Sequence, residues 1–317
     1  MRSLVVSALL SVTGAFYLLS NGVQSASAGT LYNGWNYSID AFGDGSPDSA
    51  LSSIYDIKGI AIKKDGGKVY VAISGNTLLG GMEKDKAGGT IGWGDLFFNF
   101  TGKSFADANK NGQLFGVHFA DANDSGVDAL GLYSGVKALD KVTYKDANGK
   151  NQTTTVTALN NGYANLNSYY NNSGGKWYKE GTQGDLQDKA DTDAYYGNGN
   201  QILPVIGTGT KIGDINLLSA TELTAQGINF GHFNANPVQK TQTKQKVTTI
   251  LNNPQIFGFM FDESLLPSSN YIANIFLECG NDGVAIKVPE PSAMAGLAVL
   301  GLSAGLGLRK RRRGVVA

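Results

Sequence analysis

The chain has 317 residues, with 26 basic and 26 acidic side chains, two histidines and one cysteine. One cysteine excludes an intrachain disulfide, and neither His118 nor His232 has the H-x-x-x-H spacing of a helical metal site. Between residues 29 and 288 there is no arginine, and 20 lysines face 25 acids for a formal charge near −5, so the basic footprint of a nucleic-acid binder is missing.

Arg2 precedes an apolar run from Leu4 to Leu19, and Ala26-Ser27-Ala28 follows. This is a charged n-region, an apolar h-region and a small-residue cleavage site at Ala26 and Ala28. It predicts a signal peptide over 1–28 and a mature chain that starts at Gly29.

The segment 29–288 reads as strand throughout. Trp35, Tyr37 and Ile39 alternate with polar residues. Ile60 and Ile62 lead through Asp65-Gly66-Gly67 to Val69, Val71 and Ile73, which predicts a hairpin with a glycine-permitted turn. Leu96, Phe98 and Phe100 alternate with Asp95 and Asn99, and Phe97 breaks the pattern. Further strands are predicted over 114–119, 129–136, 153–158, 201–206, 228–233, 256–261 and 284–288. Short helical turns are expected after Asp48 and near Thr221. Tyr271 to Cys279 alternates so as to put Cys279 on the buried face of a strand, as an inert core thiol. The 26 asparagines of this segment suit the turns between strands. The pattern predicts an all-β fold, an antiparallel β-sandwich or jelly-roll-like ectodomain over 29–288.

Two stretches stand apart. Residues 163–200 are polar, rich in Asn, Asp and Gly, and carry seven tyrosine and tryptophan residues, Trp177 and Tyr178 among them. They predict a long insertion. Phe105-Ala-Asp107-Ala-Asn109-Lys-Asn111-Gly112 recurs 14 residues later as Phe119-Ala-Asp121-Ala-Asn123-Asp124-Ser125-Gly126. Oxygen ligands at alternate positions before a glycine form the first half of a calcium loop. Asp107, Asn109 and Asn111, and Asp121, Asn123 and Ser125, are therefore candidate calcium ligands. Each copy lacks the closing bidentate glutamate, since His118 and Leu132 stand at that position. Two plain turns between strands are the simpler expectation, with calcium absent or held only at millimolar strength. Asp188, Asp191 and Asp193 form a weaker cluster of the same kind.

The chain ends on Pro289-Glu290-Pro291-Ser292, an apolar run over 293–308, and Arg309-Lys310-Arg311-Arg312-Arg313. The prolines forbid regular structure just outside the run and leave accessible backbone for a processing enzyme. As a helix of about 1.5 Å per residue, sixteen residues would reach roughly 24 Å, short of a ~30 Å hydrocarbon core. The cations would hold the C-terminal end on the cytoplasmic side. Residues 289–317 resemble the PEP-CTERM sorting signal, which is read by exosortase, an integral-membrane cysteine transpeptidase-like enzyme of bacteria with outer membranes and exopolysaccharide. The resemblance makes exosortase the partner, Pro289, Glu290 and Pro291 the processing motif, and 293–308 a transient membrane helix.

The ectodomain also resembles an exosortase-dependent surface protein family whose activity is not established. Leu31-Tyr32-Asn33-Gly34-Trp35-Asn36-Tyr37, Asp95-Leu96-Phe97-Phe98-Asn99-Phe100, Asn123-Asp124-Ser125-Gly126-Val127, Phe257 to Pro267 and Phe276 to Val284 carry the likeness. It transfers no catalytic residue. The expectation is an exported, non-enzymatic surface or matrix protein associated with exopolysaccharide. The alternative is a glycan-binding module that stacks sugars on loop aromatics such as Trp177 and Tyr178. A secreted glycoside hydrolase ranks below both: no Ser between residues 29 and 288 lies in G-x-S-x-G, and no carboxylate pair stands out.

Overall fold

A computed structural model describes residues 29–41, 45, 54–83, 90–172, 183–197, 199, 201–234 and 255–289. Expectations for the leader, the turn after Asp48, Trp177, Tyr178, Glu290, Pro291 and the run 293–308 lie outside the described residues. No helix among the described residues is long and apolar enough to cross a membrane.

The fold is mostly antiparallel β-sheet. Its strands are β1 (Thr30–Tyr32), β2 (Trp35–Ile39), β3 (Ile57–Asp65), β4 (Lys68–Gly75), β5 (Met82–Glu83), β6 (Thr90–Ile91), β7 (Leu96–Asn99), β8 (Leu114–His118), β9 (Gly131–Ala138), β10 (Lys141–Lys145), β11 (Asn151–Thr155), β12 (Ile206–Gly213), β13 (Asn216–Leu218), β14 (Gln255–Asp262), β15 (Tyr271–Phe276) and β16 (Gly283–Val288). Two six-stranded sheets result, in the orders β1-β2-β3-β4-β14-β13 and β12-β9-β8-β7-β15-β16. Neighbours in sequence pair as hairpins within each sheet, and the chain changes sheet after β4, β12 and β14. The β3–β4 hairpin pairs Asp65 with Lys68. Its two turn residues, Gly66 and Gly67, have φ of 58° and 74°, the left-handed pair that a tight hairpin needs.

The sheets face each other across one core. Ile60, Ile62, Val71, Ile73, Phe259 and Phe261 from the first sheet pack with Leu96, Phe98, Val117, Ile275 and Ile286 from the second. Phe98 meets Phe261 edge-on at 6.0 Å, and Phe119 stacks on Phe259 at 5.2 Å. Both outer faces are covered too. On the first sheet, Trp35, Tyr37, Ala61 and Ala72 lie under Leu223, Ile228 and Phe233. On the second, Phe97, Leu114, Val136 and Phe276 lie under Phe105, Leu166, Tyr169, Leu186, Tyr195 and Tyr196. Phe97 broke the alternation because β7 is buried on both faces.

The helices are short: α1 (Phe105–Lys110), α2 (Val156–Leu159), α3 (Leu166–Asn172), α4 (Lys189–Tyr196) and α5 (Ala220–Ala225). The turn expected near Thr221 is α5, closed by a capping box between Ser219 and Glu222. Four strand predictions need correction. The strand over 153–158 ends at Thr155, whose hydroxyl accepts from the Ala158 N–H and starts α2. The segment 201–206 is extended, but Gln201 makes only an isolated bridge with Asn165 and pairing begins at Ile206. Residues 228–233 are not a strand, since Phe230–Asn234 forms a 3-10 helix over the first sheet. The strand containing Tyr271 stops at Phe276, and Cys279, fully buried, sits in the turn beyond it.

Candidate functional site

The two Asp–Asn copies do not form like structures. The first is α1, capped by Ser104, whose hydroxyl accepts from the Asp107 N–H at 3.2 Å and donates to Asp107 Oδ2 at 2.9 Å. Asn109 Oδ1 accepts from the Ala138 N–H at 2.7 Å, and Asn111 Nδ2 donates to the Asp107 carbonyl at 2.8 Å. Helical spacing sends Asp107, Asn109 and Asn111 in different directions, so they do not converge as a calcium loop requires. In the second copy Asp121 is exposed, while Asn123 and Ser125 turn inward to another acid. Strand β8 separates the two copies. No group of three or more metal-ligating side chains of the His, Cys, Asp and Glu type gathers among the described residues.

The acid that Asn123 and Ser125 face is Asp95, which is fully buried. Its Oδ1 receives Asn123 Nδ2 and His118 Nδ1, each at 2.9 Å. Its Oδ2 receives Ser125 Oγ at 2.9 Å and the Ile206 N–H at 2.6 Å. A carboxylate only accepts, so the His118 proton sits on Nδ1. Asp, His and Ser thus meet, but the carboxylate is the hub. Ser125 donates to Asp95, whereas a nucleophilic relay passes the serine proton to the imidazole. The second histidine, His232, lies between the rings of Tyr32 and Tyr37 at 4.7 and 4.9 Å, on the first sheet.

Glu278 repeats the pattern nearby. It accepts from the Gly92 N–H at 2.7 Å and from the Asp124 N–H. Burial, and then the charge of Asp124, push its carboxyl up to about 8. Asp124 in turn accepts from Asn160 Nδ2 at 2.7 Å, tying the loop to the end of α2. Asp282 accepts from the Ile57 N–H at 2.6 Å and the Gly283 N–H at 2.7 Å. The Asp40 side chain lies close by. Burial and the neighbouring Asp56 hold Asp282 well above the ordinary carboxylate range. Lys58 is buried beside them, and burial lowers its ammonium while Asp56 raises it. Asp185 accepts from the Lys287 N–H at 2.8 Å. Asp95, Glu278, Asp282 and Asp185 each clasp a backbone N–H more than a hundred residues away in sequence. Their chemistry is that of acceptors for strand ends that leave the ladder, groups that are costly to bury unpaired.

An open cavity of about 520 Å³ lies on the outer side of the second sheet. Asn99, Lys103, Ser104, Asp191, Asn270 and Lys287 supply its polar lining, and Pro289 also borders it. Lys287 Nζ lies 3.4 Å from Asp191, a member of the acidic cluster seen in sequence. Asp188 instead caps α4, accepting from the Asp191 N–H at 2.9 Å. Three of the insertion's tyrosines offer no sugar-stacking face, while Tyr163 is half-buried. Tyr169, Tyr195 and Tyr196 are buried on the second sheet, and Tyr195 Oη donates to Asn274 Oδ1 at 2.7 Å.

Composition and spacing did not single out Asp95, Glu278, Asp282 or Asp185. The available signal was an acid inside an apolar run, as in Leu277-Glu278-Cys279, and three of the four fall within segments that carry the family resemblance. Comparison with family models, curated proteins and solved structures finds no match.

Proposed function

We propose that this is an exported, non-enzymatic surface or matrix protein. Its leader is removed before Gly29. Its tail is sorted and cut near Pro289-Glu290-Pro291 by an exosortase-like membrane enzyme, and the folded part resides in extracellular polysaccharide. The observation that carries this reading is where the fold begins and ends. Strand β1 starts at Thr30, two residues after the expected leader, and β16 stops at Val288, one residue before the expected sorting segment. The strands of the described residues thus fall between the two expected processing segments in sequence. Four buried acids committed to backbone N–H groups favour a structural over a catalytic use of this chain's carboxylates. Mass spectrometry of the protein recovered from an exporting host tests the reading. A first residue of Gly29 and loss of Arg309 to Arg313 are expected, and a mature chain that keeps those cations would overturn it.

The cavity beside Pro289 favours a second reading, saccharide binding. Its volume suits a small ligand, and its asparagine, aspartate and lysine side chains suit hydroxyl groups. Binding on a glycan array that falls with Asn270→Ala would place the sugar there. Binding that falls only with Trp177→Ala and Tyr178→Ala would place it on the insertion.

A further inference from the structure

Strand register sets the floor of the cavity beside Pro289. Ile272 of β15 pairs with Asn99 of β7 on one side and with Lys287 of β16 on the other. Residues opposite one another in antiparallel strands share a face, so these three stand in one row under the cavity. Ile272 and Leu186 make the middle of the floor apolar. The Tyr195 hydroxyl at its edge is already committed to Asn274, at 2.7 Å. Asn99 is committed as well. Its Oδ1 accepts from the Thr101 N–H and hydroxyl, and its Nδ2 donates to the Lys103 carbonyl at 2.9 Å. The Lys103 N–H in turn donates to the Thr101 hydroxyl at 3.1 Å. This turn fixes the backbone of Lys103, which is exposed at the cavity.

The two ammonium groups of the lining differ. That of Lys287 lies 3.4 Å from Asp191, which balances it. That of Lys103 enters none of the ion pairs among the described residues. Two lysines against one aspartate leave the lining net positive, in a segment where 25 acids outnumber 20 lysines.

We propose that this cavity takes an acidic saccharide, with its carboxylate on the Lys103 ammonium and the apolar face of its ring on Ile272. The inference rests on the saccharide reading and names the class of sugar. A sugar ring carries C–H groups on its faces and hydroxyls around its edge, which suits an apolar floor with a polar rim. A uronate adds a single negative charge, matching the single ammonium left over, whereas a phosphate monoester brings nearly two. Asn270, exposed on the rim, and Asp191 offer donors and acceptors to the hydroxyls. A lysine holds the carboxylate as a point charge, without the bidentate geometry that an arginine imposes.

The test titrates oligomers of galacturonate, mannuronate and glucuronate into the full chain in mild detergent, each beside its carboxyl-reduced neutral form, and reads affinity by calorimetry. The proposal expects at least one acidic oligomer to bind roughly threefold to fivefold more tightly than its neutral form, with a difference that shrinks as salt is raised. Lys103→Gln should remove that preference, and Lys141→Gln, outside the cavity, should leave it intact. Asp191→Asn frees the Lys287 ammonium and should tighten the acidic oligomer by a similar factor, a gain that misfolding does not produce. Equal binding of the acidic and neutral forms, or a preference that survives Lys103→Gln, overturns the acidic ligand and leaves the saccharide reading standing. Failure of every oligomer to bind overturns both.

Discussion

The Glu278 carboxyl accepts the backbone N–H of Gly92 at 2.7 Å across 186 residues of sequence. It does so fully buried, with its carboxyl pushed up to about 8 from an ordinary 4.5. Between those values the folded chain keeps a proton that the unfolded chain has released, so stability falls as pH rises through the window. Asp282, also held high by burial and Asp56, acts in the same direction. Asp185, pushed up to about 7 chiefly by burial, joins them. Urea unfolding should give highest stability near pH 4 to 5 and a decline toward pH 8, on the order of 1 kcal/mol per pH unit for each such group. A profile that rises from pH 5 to 8 contradicts the assignment.

Asp95→Ala removes the acceptor of four donors at once, from His118, Asn123, Ser125 and the Ile206 backbone. Buried donors left unpaired, together with a small cavity, should cost about 3–5 kcal/mol in chemical denaturation. Ser125→Ala removes one of the four and should cost about 1 kcal/mol. Comparable losses from the two variants would mean that Asp95 is not the hub.

Gly162 lies where the insertion meets the turn after β15. A Cβ built there would fall 1.6 Å from the Cys279 carbonyl oxygen, and the next residue, Tyr163, donates its N–H to that oxygen at 3.0 Å. Backbone must move to admit any side chain. Gly162→Ala should therefore destabilise by about 2 kcal/mol or more, and a melting temperature matching the wild type would refute the close approach.

Calcium should not stabilise the fold through either Asp–Asn copy. Asn109 and Asn123 already serve the Ala138 N–H and Asp95, and Asp107 is joined to the Ser104 cap. A ligand at 100 times its dissociation constant would add about 2.7 kcal/mol. Thermal unfolding in 10 mM calcium, roughly the top of the range for extracellular modules, should show no shift. A rise abolished by Asp121→Ala would establish the site after all.

The strands most legible in sequence were those with one polar and one apolar face, such as Trp35–Ile39, and the β3–β4 hairpin with its two glycines. Gln201 to Ile206 was misread because its apolar residues pack under a neighbouring layer and not along a ladder: Ile202 and Leu203 are buried, yet pairing starts only at Ile206. Phe230 to Phe233 misled for the same reason, since apolar residues in a 3-10 turn cover the first sheet. The insertion read as a polar loop because its tyrosines are spaced by Asn and Asp. Tyr169, Tyr195 and Tyr196 are nevertheless core residues of the second sheet. Asp95 and Glu278 stayed unseen because their partners are backbone amides over a hundred residues away, and period-2 alternation carries no trace of such pairs.

Exported proteins commonly cross-link distant strands through sulfur, which makes their assembly depend on an oxidant and exposes it to reductants. Here Asp95, Glu278, Asp282 and Asp185 join distant strands through oxygen, and the sole thiol, Cys279, is buried away from chemistry. Such ties form as soon as the segments meet, with no oxidase or isomerase to wait for. A strong reductant should leave the fold intact, whereas mild alkali should loosen it.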